Sequence, residues 1–186
     1  AQEAIDSGLV RIDPGWIDTH SGRRGMTLGE VGCGLSHVRA WRSIADELGP
    51  DPKKYAIVLE DDAHLSVDFP TRMGGIVESA RENDADFVYL AYRLTELENE
   101  RVQVDVNLQT CVPTWWTLAY MISGSAASRL ASSSGAYLRS MIPIDEYLPL
   151  VLGTWTSHVD DSGRSGAQYS DLRLKCFTVR GEQLAT

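Results

Sequence analysis

Apolar and polar positions along this chain follow two periods, and the switches between them mark its elements. Leu35, Val38, Trp41, Ala45 and Leu48 recur at three- to four-residue intervals, the spacing of one helical face. Just upstream, Thr27-Leu28-Gly29-Glu30 fits a capping box, in which a Thr side chain and a Glu three residues on satisfy free backbone donors. Gly49-Pro50 stops that helix. The short apolar run 55–59 then meets three carboxylates, Glu60, Asp61 and Asp62, and its lack of polar alternation predicts a strand buried on both faces. Met73, Ile76, Val77 and Ala80 predict a helix over 69–83, and Phe87, Val88, Tyr89 and Leu90 a strand over 86–91.

Residues 95–110 are polar with alternation at Val102, Val104, Val106 and Leu108, which predicts a hairpin arm or a flexible excursion. A strand follows over 115–122. Ser123 then caps an Ala-rich helix through Leu130, and Ser132-Ser133-Ser134-Gly135 reads as a break. A short helix begins at Pro143, with Asp145 and Glu146 in its first turn where the helix dipole favours them. A Ser/Gly/Asp-rich loop over 155–170 precedes a last strand at 172–179, and residues 1–26 read as a short helix or loop leading in. Strands alternating with helices predict an α/β fold, a mixed and mostly parallel sheet flanked by helices.

A length of 186 residues suits one domain with a sizeable core, so 1–186 is read as a single unit. The net charge of −9, with no basic cluster, argues against a nucleic-acid partner. No apolar run reaches membrane-spanning length, and no charged-then-apolar segment opens the chain. Cys33, Cys111 and Cys176 show no metal-ligand spacing among themselves and read as small buried hydrophobes.

The chemistry concentrates in few places. Open α/β sheets bind ligands beyond the carboxyl ends of their strands. Glu60, Asp61 and Asp62 crowd such an end and repel one another unless a cation or hydrogen-bond donors compensate. A hard divalent ion bridging to phosphate oxygens is one solution; a solvated loop whose aspartates cap the next element is the other. His64 is a ligand, a base or a surface residue. Asp145 and Glu146 supply either a general base for an acceptor hydroxyl or simple helix-terminal charge. Gly29, Gly32 and Gly34 surround Glu30 and Cys33, allowing close backbone approach to a ligand or tight packing, but match neither a P-loop nor a Rossmann fingerprint. Ser36 and His37 are placed to contact phosphate or sugar, or to serve the helix. Trp115, Trp116 and Tyr120 share one strand, where an aromatic beside an open site can stack on a sugar or base and another fills the core.

The order and spacing of four stretches resemble glycosyltransferase family 25: 27–37 (TLGEVGCGLSH), 59–62 (LEDD), 116–123 (WTLAYMIS) and 143–149 (PIDEYLP). That family includes bacterial lipooligosaccharide galactosyltransferases and the procollagen galactosyltransferases. The WTLAY stretch and the Pro14-Gly15-Trp16 lead-in look closer to the collagen-modifying branch, and the likeness runs from about residue 7 to about residue 178. The resemblance implies a GT-A-like fold, a UDP-sugar donor, a Mn²⁺ cofactor and transfer of a sugar, galactose by analogy, with inversion onto a hydroxyl of a protein or glycan. It implies metal binding by Asp62 and Glu60, donor or substrate contacts from Glu30, Ser36, His37, Glu60, Asp61, Trp116 and Tyr120, and catalysis by Asp145 and Glu146. Members begin with a strand carrying Asn-Leu and several arginines, a segment expected to be missing from these 186 residues. The alternative expectation is a non-catalytic relative that binds or adheres. The compartment follows the source: cytoplasm if bacterial or viral, endoplasmic reticulum lumen if metazoan.

Overall fold

The structure is a computed structural model that describes residues 1–18, 24–93, 100–112, 114–154 and 172–186. The described elements are, in chain order, α1 (Gln2–Asp6), α2 (Leu28–Leu48), β1 (Tyr55–Leu59), α3 (Phe69–Glu82), β2 (Phe87–Arg93), β3 (Leu108–Thr110), β4 (Trp115–Ser123), α4 (Gly124–Arg139), α5 (Ile144–Val151) and β5 (Cys176–Val179). The capping box at the head of α2 is present in both halves: Thr27 Oγ1 accepts from the Glu30 N–H at 3.2 Å, and the Glu30 carboxylate accepts from the Thr27 N–H at 2.6 Å. Val38 and Trp41 of the expected stripe are fully buried, and His37 and Gly34 are buried with them.

The five strands form one sheet in the order β1-β4-β2-β5-β3. A mixed α/β sheet flanked by helices is therefore present, but among the described residues most of its pairings are antiparallel and only β2–β5 is parallel. The reason is an insertion. β1 and β2 run the same way, joined through α3, as a strand–helix–strand pattern implies. β4 returns between them and pairs antiparallel with both, from Tyr55↔Ser123 to Leu59↔Ala119 on one side and Phe87↔Ile122 on the other. Alternation of helices and strands reports direction, not adjacency.

A second difference follows. Among the described strands β1 is at the sheet edge with β4 as its one partner, and Ile57 and Leu59 stay 40% and 43% exposed rather than buried on both faces. The core lies instead around β2 and β4, where Phe87, Tyr89, Leu90, Tyr120, Met121 and Ile122 are buried and Phe87 stacks on Tyr120 at 4.5 Å between ring centroids. α2, α4 and α5 pack on one another beside β1 and β4, and α3 packs near β3.

Two further expectations are resolved. The serine run does not break α4, which continues to Arg139. Ser132, Ser133 and Ser134 return their hydroxyls to carbonyls of the preceding turn, and Ser134 also accepts from Arg42 of α2 at 2.8 Å. The hairpin arm exists: Thr110 N–H donates to the Val102 carbonyl and Val104 N–H to that of Leu108, around a turn in which the Asp105 carboxylate accepts from Asn107 and Leu108. The loop expected over 155–170 lies outside the described residues.

α2 and α4 meet where Gly124 abuts the loop after α2. A Cβ at Gly124 would collide with the Gly49 carbonyl oxygen and lie 3.0 Å from that of Asp51. Gly124→Ala is expected to destabilise the fold by about 1–3 kcal/mol through this overpacking, lowering the melting temperature by roughly 2–12 °C. Thermal denaturation followed by circular dichroism checks it; an unchanged melt would mean that the loop yields freely.

Candidate active site

A pocket of about 580 Å³ opens at the carboxyl end of β1, a volume within the roughly 300–1,000 Å³ of small-molecule sites. Its walls come from five places in the chain. α2 supplies Glu30 and Cys33; the end of β1 and the following loop supply Glu60, Asp62 and His64; the start of β4 supplies Trp116, Thr117 and Leu118; and Pro143, Ile144 and Asp145 close it from the head of α5, with Thr186 at the rim. β4's antiparallel course makes this possible, because its first residues come to lie beside the last residues of β1. The Glu60 N–H donates to the Leu118 carbonyl at 2.9 Å. The carboxylate loop is pinned from the other side, where the backbones of His64 and Thr186 exchange hydrogen bonds of 2.9 and 3.1 Å.

Glu60 is the best-supported of these side chains. Its Oε1 accepts from Thr117 Oγ1, from His37 Nε2 at 3.3 Å and from Cys33 Sγ at 3.9 Å. Behind His37, Tyr120 Oη is 2.8 Å from Nδ1 and itself accepts from Trp41 Nε1 at 3.0 Å. The arrangement that satisfies every donor sends the Tyr120 hydroxyl hydrogen to Nδ1 and the Nε2 hydrogen to Glu60. The His37 hydrogen bond, aided by Thr117 and Cys33, holds the Glu60 carboxyl below its usual pKa despite partial burial. With Oε1 engaged by the protein, Oε2 is the oxygen left to meet a ligand.

The other carboxylates differ in kind. Glu30 is clamped by Arg24 through two hydrogen bonds of 2.8 and 2.9 Å, which lower its pKa. Asp145 is largely buried, and that desolvation, reinforced by Glu30 and Glu60, raises its pKa. Burial likewise pushes the Cys33 thiol up to about 12, with the Glu60 and Asp145 charges adding to the effect.

The structure therefore sorts the residues singled out in the sequence. Glu30, Glu60, Asp62, His64, Trp116 and Asp145 line one pocket. His37 and Tyr120, 3% and 0% exposed, sit beneath it and reach it only through Glu60. Ser36 points outward, its hydroxyl on the Gly32 carbonyl at 3.0 Å, and Asp61 is exposed beside the pocket rather than in its wall. Glu146 is turned away and accepts from Trp16 Nε1 at 2.6 Å. Trp116 adopts φ +75° where β4 shifts register against β2, and the residue is 49% exposed. Bulges and left-handed residues of this kind re-aim side chains beside functional sites. Sequence reasoning missed Cys33, Thr117 and Trp41. The signal for Cys33 was its position four residues before His37 on one helical face; Thr117 lies within the 116–123 stretch, but its meeting with Glu60 depends on which strands pair.

The fold and pocket together define an α/β domain with an acidic cleft beyond a strand end. The sequence profile of glycosyltransferase family 25 (LPS biosynthesis protein) matches residues 10–148. The chain belongs to glycosyltransferase family 25. It is similar to a glycosyltransferase 25 family member of Anopheles gambiae, with 31% identity over 98% of this chain and 31% of the relative. It is similar to procollagen galactosyltransferase 1 of Danio rerio, with 29% identity over 88% of this chain and 26% of that protein. The inactive glycosyltransferase 25 family member 3 of Homo sapiens is 34% identical over 80% of this chain and 24% of its own length. The chain thus spans between about a quarter and a third of these relatives.

Proposed function

We propose that this domain transfers a sugar, galactose by family analogy, from a UDP-sugar to a hydroxyl of a protein or glycan acceptor, with Mn²⁺ as cofactor and inversion at the anomeric carbon. One observation carries the reading: Glu30, Glu60, Asp62 and Asp145 all line the pocket, and among the described residues no Lys or Arg does. A diphosphate entering such a pocket is repelled unless a cation accompanies it.

The donor set fits a hard divalent ion, since Glu60 Oε2 and the exposed Asp62 carboxylate are oxygen ligands and Glu60 is held ionised. Bound there, Mn²⁺ would neutralise charge developing on the departing UDP. Asp145 is the base: it faces the pocket, whereas Glu146 is turned to Trp16. Its raised pKa makes it the stronger proton acceptor once ionised. Trp116 offers the exposed ring on which the sugar or acceptor stacks. The burial of His37 and Tyr120 gives them a supporting role rather than the direct substrate contact that the resemblance implies. A GT-A-like relationship agrees with the mixed sheet and the acidic turn after β1.

UDP alone is expected to leave the melting temperature unchanged. UDP with Mn²⁺ at about 100 times its Kd is expected to stabilise by about 2.7 kcal/mol, raising the melt by roughly 5–11 °C. Asp62→Ala is expected to erase this shift. Equal stabilisation by UDP without metal would sink the proposed donor site.

The similarity to the inactive human relative favours a second reading, a domain that keeps the fold and binds without transfer. Release of free galactose and UDP from UDP-galactose by the purified chain, lost in Asp145→Asn, decides for the enzyme. Donor binding with no turnover decides for the other.

A further inference from the structure

We infer that the floor of the pocket contains a second, softer metal site, made by Cys33 Sγ, His37 Nε2 and Glu60 Oε1 and suited to Zn²⁺. Each residue offers one ligand atom, and the three atoms lie within 4.8 Å of one another. Cys33 and His37 are four residues apart on α2 and so face the same way, while Glu60 approaches from the end of β1. The separations of 3.9 Å from Glu60 Oε1 to sulfur and 3.3 Å to nitrogen are close to those between neighbouring ligands of a tetrahedral ion with bonds of about 2.0–2.3 Å.

A thiolate, an imidazole and one carboxylate select Zn²⁺ over Mn²⁺ or Mg²⁺, which prefer an all-oxygen shell. Cys33 and Glu60 line the pocket, so the fourth position faces it and remains for water or a ligand oxygen. His37 has the backing such a ligand needs, because Tyr120 Oη stands 2.8 Å from its other ring nitrogen. On binding, the thiol proton passes to solvent. The imidazole stays neutral while its hydrogen moves from Nε2 to Nδ1 and is donated to the Tyr120 oxygen. The opposing effect is that the buried Tyr120 hydroxyl hydrogen then loses Nδ1 as its acceptor.

Glu60 belongs to both ligand sets, through Oε1 here and through Oε2 at the donor site, so the two ions would share its carboxylate. That consequence rests on the donor-site reading; the site itself does not.

The test is a titration of the metal-free chain with Co²⁺, a spectroscopic stand-in for Zn²⁺, without UDP or Mn²⁺. The expected result is one equivalent of tetrahedral Co²⁺ with sulfur-to-cobalt charge-transfer absorption, displaced by Zn²⁺, retained in Cys111→Ser and Cys176→Ser, and lost in Cys33→Ser. A weak octahedral spectrum, or one indifferent to Cys33→Ser, overturns the site. A second measurement does not depend on that variant folding: Zn²⁺ should protect Cys33 of the unaltered chain from alkylation, read by peptide mass spectrometry. Unchanged labelling of Cys33 at saturating Zn²⁺ overturns it equally. Because neither readout involves a nucleotide sugar, failure of the transferase reading leaves both intact.

Discussion

Replacing Asp145 by Asn is expected to slow sugar transfer by about 10²–10⁴-fold, the contribution of a well-placed general base. UDP binding in the presence of Mn²⁺ should persist, because the base acts on the acceptor hydroxyl. The same change is expected to raise the melting temperature at neutral pH. The folded carboxyl has a raised pKa, chiefly through burial, with Glu30 and Glu60 adding to it. A carboxyl that binds its proton more tightly folded than unfolded loses the native state stability as pH rises from the ordinary aspartate value through the raised one. Above that window the native state holds a desolvated anion, and Asn removes the penalty. The wild-type rate should accordingly rise with pH through the raised value. Transfer assays across pH, paired with thermal melts, read both effects. A variant that transfers at the wild-type rate would remove Asp145 from the mechanism.

Glu60→Ala should produce the opposite pairing, with donor binding and stability lost together. The Mn²⁺-dependent UDP shift should vanish. The buried His37 would lose the acceptor of its Nε2 hydrogen, which costs about 1–3 kcal/mol and roughly 2–12 °C in the melt. Glu60→Gln, which keeps an acceptor oxygen, should recover part of the stability and none of the metal dependence. The pH dependence has the opposite sign to that of Asp145. Glu60 and Glu30 both titrate below their usual values, through His37 and Arg24 respectively. Their contributions are complete above the ordinary glutamate pKa and fade as pH falls through the lowered ones. The melting difference between wild type and Glu60→Ala should therefore shrink in acid. A difference that grew on acidification would contradict the hydrogen-bonded anion described here.

Helix starts are legible in the sequence, although the serine run inside α4 is not the break it suggests. Thr27 and Glu30 cap α2, Ser123 caps α4, and the acidic first turn of α5 is where the pattern put it. These depend on neighbours a few residues away. Strand direction was harder, since nothing in the apolar runs tells β4 to enter between β1 and β2 or leaves β1 at the edge. The site divides in the same way. Glu60, Asp62 and Asp145 carry their own signal as carboxylates at a strand end and a helix start, and they line one pocket. Thr117 was missed because only the pairing of β1 with β4 brings it to Glu60. His37 and Tyr120, for which the resemblance implies substrate contact, are buried beneath the pocket. Their mutual contact, 83 residues apart in the chain, has no local trace.

The insertion of β4 also bears on how the domain is made. During synthesis β1, α3 and β2 emerge before β4, the strand that lies between β1 and β2 in the sheet. Until β4 is released, Val58 and Phe87 have no cross-strand neighbour on that side and Glu60 lacks the Thr117 hydroxyl. Assembly of the sheet centre is thus a late, long-range event, slow by the usual dependence on contact separation, and the cleft is completed only when α5 adds Asp145. A nascent chain arrested before residue 123 should therefore remain open to protease, and protection should appear only after β4 and the later α5 and β5 have cleared the ribosome.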